Sequence, residues 1–204
     1  MTAIGPLLVA LGEQRLLPVL RSPDAATAVA RTRGFLDAGC RVVELTTSTP
    51  DWREALAGCR ELRGSGGDNR SPAFIGLGTV VRAEQASAAI EAGADFLVSP
   101  YPAPEVREVA ARHGVVFIEG GFTPAEIAAA AARGPAKVFP AHVGGPRYLS
   151  SLRAVLPEAV LIPTGGVSLG EAGAYLDAGA LAVGIGSGLP DDPAALAEVF
   201  RTVR

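Results

Sequence analysis

Eight short apolar runs at near-regular spacing, a helical pattern in the gaps between them, and a glycine at five helix-to-strand junctions predict one α/β domain spanning residues 1–204. Strict alternation of this kind favours a closed (β/α)8 TIM barrel over an open doubly wound sheet, here with a short N-terminal capping helix. A chain of 204 residues suits a single such domain with tight loops. A hydrophobic fraction of 49% and a mean hydropathy of +0.30 fit strands buried on both faces.

The first element is "MTAIGPLLVALGEQR" at 1–15. No basic residue precedes its apolar stretch, so it reads as a short helix covering one end of the barrel and not as a signal peptide. "LLPVLR" from 16 is the first strand and "RVVELT" from 41 the second. The third, "AFIGLGT" from 73, follows "RGSGGDNRSP" at 63–72, the one loose linker, which reads as a Gly-rich surface loop and not a domain boundary. "FLVSP" from 96, "VVFIEG" from 115, "KVFPA" from 137, "VLIPTGG" from 160 and "LAVGIGS" from 181 complete the set.

"FLDAGCRVVEL" at 35–45, "AIEAGADFLVS" at 89–99 and "YLDAGALAVGI" at 175–185 repeat one plan: an amphipathic run, Asp or Glu, Ala, Gly, then an apolar run. The physical reading is a helix closed by a left-handed C′ glycine and a short loop into a buried strand. Gly114 and Gly134 follow the same grammar.

In this fold the chemistry collects at the C-terminal ends of the strands. Those ends carry Arg21, Glu44 with Thr46, Thr79, Ser99, Glu119, Lys137, Thr164 with Gly165 and Gly166, and Gly186 with Ser187. Lys137 is the only lysine among 18 Lys and Arg residues. Alternation along a strand puts Lys137 and Phe139 on one face and groups Val42, Glu44 and Thr46 on another. If both faces point inward, a lysine meets a carboxylate in an apolar enclosure. Burial disfavours the ammonium and can bring a catalytic lysine to roughly pKa 7–8, where a neutral amine can attack a ketone. Arginine stays protonated and cannot. The alternative is a structural ion pair of Lys137 with Glu44 or Glu119. "PTGGV" and "GIGSG", on the two final strands, place backbone N–H groups where barrels bind phosphate, with a short following helix adding its dipole.

Composition argues against other classes. Charged residues are 19%, the formal net charge is -3 and no long charged run occurs, so neither nucleic acid nor an anionic membrane surface is an expected partner. Small molecules or copies of the chain are. No apolar stretch approaches the ~18 residues of a membrane span. Cys40 and Cys59 lack metal-ligand spacing and read as small apolar residues of a reducing, cytoplasmic compartment. His142 and the remaining histidine supply no metal site, no dinucleotide fingerprint is present, and neither metal nor cofactor is expected.

"VVELTTSTP", "GLGTV", "FLVSP", "AKVFPA" followed by "GGPRYLSSLRAVLP", "PTGGV" and "GIGS" resemble the bacterial 2-keto-3-deoxy-6-phosphogluconate (KDPG) aldolases and their 6-phosphogalactonate and 4-hydroxy-2-oxoglutarate relatives over nearly the whole chain. The resemblance implies a class I aldolase that releases pyruvate and glyceraldehyde 3-phosphate. Lys137 would form the Schiff base and Glu44 would move protons. It also implies a pyruvate pocket lined by Thr79, Pro100, Phe139 and Thr164, a phosphate site at Gly165, Gly166, Gly186 and Ser187, and a homotrimer. Two positions depart from the pattern. Ser48 stands where phosphogluconate-type members carry a carboxylate-binding arginine, for which Arg21 is the expected substitute, a placement associated with the phosphogalactonate branch. Glu119 replaces a common proline, and its carboxylate is a candidate to bind a substrate hydroxyl, to pair with Lys137 or to face outward. Those departures keep two alternatives in view: a phosphosugar isomerase or epimerase using Glu44 and Lys137 as acid and base, and an inactive barrel that only binds a phosphorylated ligand.

Overall fold

The apolar runs become the staves of a barrel. In the computed structural model, which describes residues 4–62 and 73–203, these are β1 (Leu16–Leu20), β2 (Val42–Thr46), β3 (Phe74–Gly78), β4 (Phe96–Val98), β5 (Val116–Gly121), β6 (Ala136–Val138), β7 (Leu161–Pro163) and β8 (Val183–Ile185). They pair in parallel in the order β7-β6-β5-β4-β3-β2-β1-β8. A bridge between Thr164 and Gly184, together with the Leu181 N–H donating to Leu161 O at 3.0 Å, joins β7 to β8 and closes the ring. The helices are α1 (Ile4–Gln14), α2 (Ala25–Asp37), α3 (Trp52–Glu61), α4 (Ala83–Glu91), α5 (Pro104–His113), α6 (Pro124–Ala131), α7 (Ala141–Val155), α8 (Ala172–Asp177) and α9 (Pro193–Thr202). The expected surface loop at 63–72 and the first three residues of the expected capping helix lie outside the described residues.

Side-chain alternation sorts each strand into two cores. Leu17, Val19, Val42, Phe96, Val98, Val116, Ile118 and Ile162 fill the barrel, and Leu7, Ala10 and Leu11 of α1 pack against them as a plug. Leu16, Leu20, Val43, Leu45, Ile75, Leu77, Leu97, Ala136 and Val138 face the helical layer. Register places Glu44 beside Val19 and Gly76, and Lys137 beside Gly120 and Ile162. Both residues have interior parity. Glu119 follows Ile118 and pairs with Ala136, so it has exterior parity.

Local chemistry fixes the ends of these elements. Gln14 fastens the plug helix to the barrel: its Nε2 donates to Leu16 O at 2.6 Å and Val42 O at 2.9 Å, and its Oε1 accepts from Arg41 N and Val42 N. Asp24 and Asp192 cap α2 and α9 through Thr27 N and Ala195 N, while Thr123 and Glu126 form a reciprocal box at α6. Of the five junction glycines, Gly39, Gly93, Gly114 and Gly179 are left-handed, and Gly134 is not. Helix α6 ends at Ala131, so the chain has already turned before it reaches Gly134. Cys40 and Cys59 are both buried. Among the described residues no helix is long and apolar enough to cross a membrane.

Candidate active site

The two interior-facing charges meet near the C-terminal end of the barrel. Glu44 is fully buried and Lys137 is 5% exposed, with Nζ 3.6 Å from Glu44 Oε1. Phe139 stands beside the amine, its ring centroid 5.4 Å from Nζ. Neither carboxylate oxygen of Glu44 has a hydrogen-bond partner among the described residues. Burial pushes its pKa up, an effect opposed by Lys137 and, more weakly, by Arg21. A carboxyl group whose proton is held more tightly than usual, next to an amine, is equipped to give and take protons.

The ion-pair alternative is thereby half realised: Lys137 pairs with Glu44 and not with Glu119. The pair is a poor stabilising device, because 3.6 Å exceeds the 2.7–2.9 Å of a good charge-assisted hydrogen bond. Desolvating two charges for so loose a contact costs more than an apolar replacement would. The arrangement makes physical sense as chemistry.

The remaining predicted residues surround this pair, with one exception. Arg21, exposed at the end of β1, reaches across to β8, where a Cβ on Gly186 would lie 2.8 Å from its Nη1. Ser48 is exposed and its Oγ lies 2.7 Å from Thr46 Oγ1. Thr46 itself donates to Leu20 O, which leaves Ser48 as donor of the shared bond. Thr79 has φ 62°, a left-handed backbone that a β-branched side chain adopts only at a cost of about 1–3 kcal/mol. The Thr47 Oγ1 donates to its carbonyl at 2.9 Å, tying the ends of β2 and β3 together. Pro100 packs against Gly120, where a Cβ would overlap the Ser99–Pro100 backbone. Thr164 is buried at the end of β7.

Gly165 and Gly166 take φ 92° and 70°. A Cβ on Gly165 would lie 2.6 Å from the Phe139 ring, and one on Gly166 would overlap His142 Nδ1. His142, exposed in the first turn of α7, is therefore part of this rim. Its backbone N–H donates to Gly165 O at 3.1 Å, and its ring Nδ1 lies 3.1 Å from the same oxygen. The expected helix dipole at the glycine cradle is modest. A three-residue 3-10 turn, Leu169–Glu171, follows β7 with its Ser168 N–H already bonded to Glu171 Oε2. After β8 the next helix begins only at Pro193, so exposed Gly186 and Ser187 offer loop amides and not a helix terminus.

Glu119 is the exception: of the three placements open to it, the carboxylate takes the outward one, away from Lys137 and the barrel interior. Its exterior parity sends the carboxylate into the helical layer, where it is 5% exposed. It accepts from Ala103 N at 2.8 Å, Arg107 Nε at 2.9 Å and Arg107 Nη2 at 2.5 Å. A cavity of about 480 Å3 outside the barrel, lined by Phe117, Arg107, Glu119 and Arg133 among others, lies on that side. Strand parity, applied to Glu119 as it was to Lys137, is the signal that places it there. The same rule identifies Gly78 and Gly184, interior glycines that meet Glu44 and Thr164. Among the described residues no group of three His, Cys, Asp or Glu side chains could hold a metal ion.

The family described as "KDPG and KHG aldolase" matches residues 9–201. The chain is 31% identical over 177 residues to a 2-dehydro-3-deoxy-6-phosphogalactonate aldolase of Escherichia coli, covering 85% of this chain and 83% of that one. It is 34% identical over 170 residues to a 2-dehydro-3-deoxy-phosphogluconate aldolase of Treponema pallidum, covering 82% and 78%. A KDPG aldolase of Legionella pneumophila, solved with pyruvate captured as a covalent carbinolamine, superposes with a TM-score of 0.81 at 25% identity, covering 96% and 97% of the two chains.

Proposed function

The chain belongs to the KDPG and KHG aldolase family, and on that premise we propose that it is a class I aldolase cleaving a 2-keto-3-deoxy-6-phospho sugar acid of the gluconate or galactonate type to pyruvate and glyceraldehyde 3-phosphate. The observation that carries the reading is the buried pair of Lys137 Nζ and Glu44 Oε1, 3.6 Å apart. An amine held against a carboxyl group of raised pKa has a proton donor and acceptor at the atom that must change its protonation state.

In the proposed cycle the neutral Lys137 amine adds to the C2 carbonyl of the substrate. The carbinolamine takes a proton from the Glu44 carboxyl group beside it and loses water to a protonated imine, leaving Glu44 as the carboxylate. Glu44, directly or through a water, takes the C4 hydroxyl proton as the C3–C4 bond breaks. The bonding pair flows into the iminium to give an enamine, and glyceraldehyde 3-phosphate leaves. Glu44 delivers that proton to C3, and water hydrolyses the resulting iminium to pyruvate and the neutral amine, with the released proton returning to Glu44. Proton transfer of this kind is worth about 10²–10⁴ in rate.

Within this reading Arg21 pairs with the substrate carboxylate from the β1 wall, in the place of the arginine that Ser48 does not supply. Thr79, Pro100, Phe139 and Thr164 line the pyruvyl pocket, and the amides of Gly165, Gly166, Gly186 and Ser187 hold the terminal phosphate. The enzyme would act in the cytoplasm as a homotrimer. The decisive experiment uses the single lysine. After incubation with pyruvate and borohydride, intact mass and peptide mapping should show one pyruvyl increment on Lys137; its absence sinks the imine mechanism. Side-by-side rates on the gluconate and galactonate epimers rank the substrates.

A further inference from the structure

We infer that Gly78 is a positioning residue for this reaction: the space left by its missing Cβ is the seat in which the Glu44 carboxylate stands beside Lys137. Gly78 is the last residue of β3 and pairs in register with Thr46, two residues beyond Glu44. A Cβ built on it would overlap Glu44 Oε1 and lie 2.6 Å from Cδ and 2.9 Å from Cγ. The carboxylate therefore occupies the volume that any other residue at 78 would fill.

Neither of the other reasons for a glycine applies. Its φ lies outside the left-handed region, so the backbone tolerates an L side chain. Nor does another stretch of backbone approach it closely, since the three nearest atoms to the built Cβ all belong to the Glu44 side chain. Apart from the loose contact with Lys137, only shape holds the carboxylate in place, because neither of its oxygens accepts a hydrogen bond among the described residues. The position is therefore sensitive to sterics in a way that a hydrogen-bonded carboxylate would not be. An added methyl meets the far end of a flexible side chain, which can swing aside without moving the β2 or β3 backbone. Swinging aside takes the carboxylate off Lys137. The alteration is mild for the fold and severe for the chemistry.

The inference rests on the aldolase reading for its catalytic consequence, and the experiment separates the two. Wild type, Gly78→Ala, Glu44→Ala and the double variant are compared for kcat and KM on the phosphorylated keto-deoxy acid, and the Gly78→Ala crystal structure is determined. We expect Gly78→Ala to lower kcat to within about tenfold of the Glu44→Ala value, a loss on the order of 10²-fold or more. KM should change far less. The same substitution made on Glu44→Ala should cost nothing further, since coupled residues give non-additive cycles. In the crystal structure the Glu44–Lys137 contact should be broken with the strands unmoved. A Gly78→Ala structure in which Glu44 keeps its contact with Lys137 overturns the proposal. So does an equal loss of kcat in both backgrounds, which would mean that glycine serves the strand and not the carboxylate. Failure of wild type to form the pyruvyl adduct at Lys137 defeats the aldolase reading by a separate measurement, and the crystal structure still decides the seat.

Discussion

Replacing Glu119 should destabilise the barrel while sparing the chemistry. Its carboxylate takes three hydrogen bonds, one from Ala103 N and two from Arg107, and Glu119→Ala deletes all of them. Hydrogen bonds to charged groups contribute about 1.5–3 kcal/mol each when buried, and breaking a fully buried pair costs about 3–5 kcal/mol. Arg107 has a side chain 30% exposed, so water can recover much of its solvation and the Arg107 part must be discounted. The Ala103 N–H, on a buried residue, has less recourse. A net loss of about 2–3 kcal/mol follows, which for a domain of this size lowers Tm by roughly 4–12 °C. Urea titration at fixed pH, with Glu119→Gln beside Glu119→Ala, reads the stability. Pyruvyl-adduct formation and KM for the phosphorylated acid read the site. A stability loss under about 0.5 kcal/mol, or a large rise in KM without any loss of stability, would refute the strut and restore Glu119 as a substrate ligand.

Three further outcomes are expected. Folding draws a proton onto Glu44 between its ordinary value of 4.5 and its raised folded value. Its contribution is therefore present below 4.5 and lost as pH rises through the folded value, so wild type should lose stability with rising pH relative to Glu44→Gln in denaturant titrations; parallel profiles contradict this. Arg21→Ala should raise KM several-fold with a smaller change in kcat, and unchanged steady-state kinetics would remove Arg21 from substrate binding. Burial pushes the Cys40 thiol up to about 12, so it should resist a thiol reagent at about pH 8 until the protein unfolds, a contrast that timed labelling with and without denaturant measures.

The barrel itself was written plainly in the chain because its two periodicities are local. Apolar runs of strand length, glycines at Gly39, Gly93, Gly114 and Gly179, and caps such as Asp24 and Thr123 each act within a few residues of themselves. Lys137 and Glu44 were legible as candidates for the same reason, since strand alternation groups each with its own face, while the register and packing of the ring put both faces inside. The capping helix was also legible, although its fastening through Gln14 to Leu16 and Val42 was not.

Glu119 marks the boundary. Its residue type suits a sugar hydroxyl as well as an arginine; parity sets it opposite Ile118, and only the packing of α5 across β5 selects Arg107 as its partner. His142 and Gly78 mark it too. Contact between His142 and Gly166, or between Gly78 and the end of Glu44, joins residues from different strands or loops at sub-ångström tolerance. No local pattern encodes such tolerances. The sequence by itself determined the element types and the barrel, and it marked Lys137 and Glu44 as the candidate pair, because those follow from periodicity and functional-group chemistry. The tertiary structure alone decided which polar groups share the interior, how far Nζ stands from Oε1, and which glycines hold space open, because these depend on strand register and packing across the whole ring.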